Sequence, residues 1–198
     1  MGSAHAHEVE VKFKLDHGDL HDVATCLKQA GLELGPVTHQ DDQAFAPIGW
    51  DYGQDRVGVP FARLRTDETH GDGACLFTIK RPVDNTMACL EAETVVNDRD
   101  AMARSLELMG WRPTVRIVKT RRSAEAAGGL TVCLDVVDHA GVFLEVEKLA
   151  EPDTEGIQLQ TRLEQWVRDL GINASRCEDT YDTLVRNALA GANAYPGT

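Results

Sequence analysis

No apolar run in the 198 residues approaches the roughly 18 to 20 positions a helix needs to span a bilayer, so the pattern calls for no membrane segment. The cysteines are few and scattered. Cys26, Cys75, Cys89, Cys133 and Cys177 are odd in number and include no CxxC pair, so neither a zinc site nor a disulfide framework is suggested. Reduced structural thiols are expected. Positive charge is the minority sign, with 20 Lys and Arg against 32 Asp and Glu and a net charge of −12. A field of that sign argues against binding a nucleic-acid duplex, while leaving room for a local basic site and a small polyanion. Residues 1–7 lack the basic start and apolar core of a signal peptide, which makes the cytoplasm the expected location. His5 and His7 have ligand-like spacing, but their terminal position fits a flexible or tag-like segment better. Interior linkers and repeats are also missing. One domain over 8–190 is expected, with a loose tail over 191–198.

What is present is strongly patterned. Glu8-Val9-Glu10-Val11-Lys12 alternates charged and apolar side chains, and a strand puts residues i, i+2 and i+4 on one face. Similar strands are expected at 40–45, 61–66, 75–81, 90–96, 115–123, 130–137 and 142–149, with a turn at 69–73. Helical spacing of apolar residues predicts helices over 16–30, after Asp98, over about 155–170 and over about 178–190. The fold class is therefore α+β. Residues 36–60 hold an irregular strand and a long loop carrying Trp50 and Tyr52. These aromatics either line a cavity mouth or pack the loop, and packing is the simpler reading.

A lone strand with one charged face is ordinarily a surface strand. Here the charged faces recur and segregate by sign. Arg63 and Arg65 share a face, as do Thr78 and Lys80, and Lys119 and Arg121. Glu91 and Glu93 pair across Ala92, Glu145 and Glu147 across Val146, and Asp135 lies in an otherwise apolar strand. If helices cover the apolar faces, closure of the sheet turns the charges into a lumen, the inverse of an ordinary barrel. Seven carboxylates and six cations nearly balance, which makes a hydrated lumen tolerable where isolated buried charges would not be. Its natural guest is a polyphosphate with divalent cations, because cations hold phosphate oxygens and carboxylates hold metal.

In order along the chain, Glu8-x-Glu10-x-Lys12, Arg63-x-Arg65, Thr78-x-Lys80, Glu91-x-Glu93, Lys119-x-Arg121, Leu134-Asp135 and Glu145-x-Glu147 closely resemble the CYTH superfamily. This group, the triphosphate tunnel metalloenzymes, takes its name from class IV adenylyl cyclases and thiamine triphosphatases. The resemblance spans about 8–186. It implies an eight-stranded antiparallel β tunnel with flanking helices. It further implies Mg2+ or Mn2+ on Glu8, Glu10, Asp135, Glu145 and Glu147. Lys12, Arg63, Arg65, Lys80, Lys119 and Arg121 would then bind the triphosphate. Glu91 and Glu93 either orient these cations or ligate metal. Relatives often read Gln-x-Asp-x-Tyr-Phe in the second strand, where this chain has Gln40-Asp41-Asp42-Gln43-Ala44-Phe45.

The expected function is metal-dependent hydrolysis of inorganic, nucleoside or thiamine triphosphate. Glu8, Glu10, Lys12, Glu145 and Glu147 are the candidate catalytic residues, Lys12 acting as a base only if its neighbours lower its pKa. A class IV-like adenylyl cyclase, forming cyclic AMP and pyrophosphate, is the main alternative, and it also needs a shaped nucleoside pocket that no motif identifies. A non-catalytic polyphosphate or nucleotide sensor is a third reading. A homodimer would be unsurprising.

Overall fold

The computed structural model describes residues 7–16, 19–70, 73–151 and 154–194. Expectations for residues 1–6, for part of the 69–73 turn and for 195–198 fall outside that set. Nine strands and four helices follow in the order β1 (His7–Leu15), α1 (Leu20–Gln29), β2 (Thr38–Pro47), β3 (Phe61–Thr66), β4 (Cys75–Pro82), β5 (Ala88–Val96), α2 (Arg99–Leu108), β6 (Trp111–Ala126), β7 (Leu130–Val137), β8 (Gly141–Ala150), α3 (Gly156–Asp169), β9 (Ser175–Arg176) and α4 (Tyr181–Ala194). Two expectations change at the ends. His7 opens β1 and is buried, and α4 continues through residues 191–194, where a loose tail was expected.

The sheet runs β5-β4-β3-β2-β6-β7-β8-β1-β9, all antiparallel, and β5 also pairs with β1. That last pairing closes eight strands into a barrel. The seam is short: His7, Glu8 and Val9 face Leu90, Cys89 and Ala88, whereas β1 and β8 stay in register from His7–Ala150 to Leu15–Val142. Further along β1, the two-residue β9 takes over as second partner at Phe13 and Lys14.

The apolar faces point outward and are covered. Val9, Val11 and Phe13 of β1 join Val132, Leu144 and Val146 beneath Leu27 of α1 and Leu163 and Val167 of α3. Phe45, Ala62, Leu64 and Cys75 form a second layer beneath Leu106 of α2. Val115, Ile117, Val137 and Phe143 form a third with Val185 of α4. Helix ends follow local rules. Asp98 accepts the Ala101 N–H at 2.8 Å as an N-cap, and Gly110 takes φ of 89° just past the end of α2. With the apolar faces under helices, the alternate positions of eight strands face one another across the lumen. No helix among the described residues is long and apolar enough to cross a membrane.

Candidate active site

Inside the barrel, every site residue expected from the pattern lies in or beside one cavity, which is mostly self-paired. Glu8 and Glu91 each place an oxygen 2.7 Å from Lys80 Nζ. Arg63 Nη2 donates to Thr78 Oγ1 at 3.0 Å and to Glu93 Oε1 at 3.2 Å, while Thr78 Oγ1 donates to Glu93 at 2.7 Å. Thus Glu91 and Glu93 both hold cations in this structure. Lys12 Nζ lies 3.5 Å from Glu10 and 3.3 Å from Glu145, and donates to the Asp179 carbonyl at 3.2 Å.

The deepest layer centres on Asp135, which has no solvent exposure. Its carboxylate accepts from Lys119 Nζ at 2.8 Å and from Arg121 Nε and Nη2 at 2.7 and 2.6 Å. Arg121 also bonds Glu145 and lies 3.6 Å from Glu147. Lys119 and Arg121 outweigh burial and hold Asp135 below the usual carboxylate range; Lys12 and Arg121 likewise bring buried Glu145 down to about 2. Burial and the adjacent Arg121 lower Lys119. Lys12 moves the other way: Glu145 and Glu10 outweigh its burial and raise it, so the pattern's condition for a basic Lys12 is not met.

The implied metal set therefore divides. Both Asp135 oxygens are engaged by cations, and Glu145 is engaged by Lys12 and Arg121. Glu8, Glu10 and Glu147 instead bring one carboxylate oxygen each within 4.8 Å of one another. Burial, with Glu8, Glu145 and Glu10 nearby and Arg121 opposing, pushes Glu147 up to about 8. Burial and Glu145 also raise Glu10, whereas Lys80 outweighs burial at Glu8 and lowers it. Clustered carboxylates that resist ionisation together fit a hard divalent cation with oxygen ligands.

Four further residues belong to the cavity. Asp42 of β2 accepts Arg65 Nε and Nη2, both at 2.7 Å, and that pair brings its carboxyl down to about 2 against the cost of burial. Its alternation with Gln40 and Ala44 was the available signal. Tyr181 and Asp182, the first two residues of α4, line the cavity as well. Arg56, from the β2–β3 loop, donates to Asp182 Oδ2 at 3.0 Å and lies over Phe61. Trp50 and Tyr52 pack the loop: Trp50 is 6% exposed and meets the Phe61 and Tyr52 rings edge-on at 4.8 and 5.1 Å.

A closed antiparallel tunnel with helices outside, cations lining its lumen and a carboxylate cluster on one wall defines a class of charged-lumen β tunnels. The chain belongs to the CYTH family: the CYTH domain matches residues 6–181. Its fold is similar to that of the PH1819 protein from Pyrococcus horikoshii OT3, with a TM-score of 0.73 and 22% identity over 91% of this chain and 99% of that one. A putative adenylate cyclase from Vibrio parahaemolyticus matches with a TM-score of 0.69 and 20% identity over 92% and 97%. The Hippeastrum protein HpAC1, described as a putative adenylyl cyclase with a dominant triphosphatase activity, matches with a TM-score of 0.61 and 15% identity over 92% and 95%. At these identities the likeness is one of fold. No curated protein matches the chain.

Proposed function

We propose that the protein is a divalent-metal-dependent hydrolase of a triphosphate-containing substrate. The observation that carries this reading is the meeting of Glu8, Glu10 and Glu147 in a cavity also lined by Lys12, Arg63, Arg65, Lys80, Lys119 and Arg121. Carboxylates without cations would suit metal alone, and cations without carboxylates would suit any anion. Their combination suits a metal–polyphosphate complex.

Mg2+ or Mn2+ held by Glu8, Glu10 and Glu147 would supply Lewis-acid polarisation of a phosphoryl oxygen and lower the pKa of bound water. The cations hold the chain of phosphates. Arg63 Nε is buried with no acceptor among the described residues, which leaves a fixed N–H for a phosphate oxygen. Lys80, shared here by Glu8 and Glu91, would be left to phosphate if Glu8 held a metal. In the hydrolysis, the oxygen of water bonds to the terminal phosphorus and the bridging P–O bond breaks. Orthophosphate and a diphosphate leave, with a proton released to solvent near neutral pH. Support also comes from the Hippeastrum neighbour's stated triphosphatase activity on this fold.

The test is product analysis after incubating ATP, inorganic triphosphate and thiamine triphosphate with Mg2+ or Mn2+. Metal-dependent release of orthophosphate from at least one supports the reading. Cyclic AMP with pyrophosphate from ATP would replace it with the cyclase, and binding without turnover would replace it with a sensor.

A further inference from the structure

Of the three clustered carboxylates, Glu8 and Glu147 lie on backbone paired with strands on both sides. Glu8 is opposite Cys89 and Leu149, and Glu147 is opposite Glu10 and Thr131. Glu10 is different. β5 pairs with β1 only over residues 7–9 and β9 only at 13 and 14, so no strand among the described residues covers one edge of β1 at Glu10. Other groups hold its backbone there. The Glu10 N–H donates to the Met87 carbonyl at 2.9 Å, and the Glu10 carbonyl accepts from Gln160 Nε2 of α3 at 3.1 Å. A side chain from a helix outside the barrel thus takes the place of the missing strand behind a metal-ligand candidate.

Gln160 is itself fixed. Its Nε2 also donates to Asn85 Oδ1 at 3.1 Å and its Oε1 accepts from Asn85 Nδ2 at 3.0 Å, so the two amides pair reciprocally. Asn85 Oδ1 in turn accepts the Met87 N–H at 2.9 Å. The hydrogen bonds form a closed ring, from Glu10 to Gln160, Asn85, Met87 and back to Glu10. The start of α3 is pinned to the same hairpin, where Asp84 Oδ2 accepts the Gly156 N–H at 3.1 Å. A Cβ at Gly156 would meet that oxygen at 2.7 Å, so the close approach requires glycine. We propose that Gln160 is a positioning residue for the metal site: it fixes the Glu10 backbone, and so the direction in which the Glu10 carboxylate meets those of Glu8 and Glu147. Outer partners of this kind set metal affinity, because a ligand already held in place loses less freedom on binding. Gln160 does not line the cavity and acts only through Glu10. The inference rests on the metal-dependent reading and adds a residue to it.

The experiment replaces Gln160 with Met, which keeps the length of the side chain and removes the amide. Mn2+ affinity is measured by calorimetry in the absence of substrate. Q160M weakens Mn2+ by about tenfold, the lower end of what outer partners of metal ligands contribute. Inorganic triphosphate binding in EDTA changes by less than about twofold, because Arg63, Arg65 and Lys80 lie on other strands. D98A, which removes the α2 N-cap, controls for lost stability away from the cavity and leaves Mn2+ affinity unchanged. If Q160M does not fold, N85A carries the test: it frees the Gln160 amide and weakens Mn2+ by about threefold or more. Unchanged Mn2+ affinity in the folded variant overturns the inference. So does an equal loss in D98A, or a matching loss of triphosphate binding, either of which makes the role of Gln160 merely structural. Failure of the wild type to bind Mn2+ defeats the metal reading and this inference together. Mn2+ binding without turnover defeats only the hydrolase reading, and the affinities then test Gln160 by themselves.

Discussion

Tyr181 Oη, on the first residue of α4, donates a hydrogen bond to Asp135 Oδ2 at 2.9 Å inside the tunnel. The same ring lies 4.2 Å from Lys12 Nζ and 4.7 Å from Lys119 Nζ, with Phe143 edge-on at 5.2 Å. One side chain thus touches two phosphate-binding candidates and the carboxylate that holds a third, Arg121. Burial and the adjacent Glu145 and Asp135 carboxylates raise the Tyr181 hydroxyl well above its ordinary value, so it remains a donor.

Tyr181→Phe separates the two contributions. The ring and its contacts with both lysines remain, and Asp135 keeps Lys119 and Arg121, so the cost is about 1 kcal/mol, the worth of one hydrogen bond. Tyr181→Ala also removes the ring from Lys12, Lys119 and Phe143 and costs about 3–5 kcal/mol. Urea denaturation measures both. In turnover, Tyr181→Ala raises KM for triphosphate far more than Tyr181→Phe does, because only the former frees the lysines.

Asp42 and Arg65 form a buried bidentate pair, so Asp42→Asn leaves an uncompensated guanidinium and destabilises the protein by about 3–5 kcal/mol at pH 7. The sign of the pH dependence follows from a carboxyl lowered from 3.8 to about 2. The folded state binds this proton less readily than the unfolded chain. The pair's contribution, about 2 kcal/mol, is therefore present above pH 3.8 and is lost as pH falls through about 2. Paired denaturation curves for wild type and Asp42→Asn converge on acidification; a constant gap between pH 7 and pH 2 would contradict the assignment.

Lys80 spans the short seam, holding Glu8 of β1 and Glu91 of β5 at 2.7 Å each. Replacing it with Met leaves two buried carboxylates facing each other and costs about 3 kcal/mol or more at neutral pH. The cost shrinks in acid, where both protonate. Hydrogen exchange locates the effect: the Glu10 amide, which bonds the Met87 carbonyl at 2.9 Å beside the seam, exchanges faster in the variant, while that of Val146, on the far side of β1, keeps its protection. Adding Glu91→Gln removes one of the stranded charges and restores part of the protection.

Strand alternation made the tunnel legible because each strand has a charged face and an apolar face, and only closure satisfies both. Strands at 61–66 and 130–137 are bounded as the pattern requires because turn residues flank them closely. The contributions of Tyr181 and Arg56 were not legible. Tyr181 fits the apolar stripe of its helix with Leu184 and Val185, and helical periodicity carries no sign that one member enters a lumen. Arg56 sits in a loop without period, and its partner Asp182 is 126 positions away. The two-residue β9 is shorter than any alternation can reveal, since its pairing with β1 depends on where α3 ends.

Glu147 carries the final prediction, because its carboxyl titrates near physiological pH. Its value, raised from 4.5 to about 8, means that the folded metal-free protein binds this proton more readily than the unfolded chain. The group's contribution to stability is present below pH 4.5 and is lost as pH rises through about 8. A divalent ion must displace the proton. Mn2+ affinity therefore climbs between pH 6 and 8, by up to about tenfold per unit, then levels off, with proton release visible as a buffer-dependent heat. Glu147→Gln removes both effects. It abolishes turnover at saturating metal, flattens the pH dependence of Mn2+ binding and leaves the metal-free fold at least as stable at pH 8 as the wild type. Retained turnover would remove Glu147 from the metal site. A flat pH profile in the wild type would instead place the displaced proton elsewhere in the cluster, and Glu10, also raised by burial and by Glu145, would become the residue to replace.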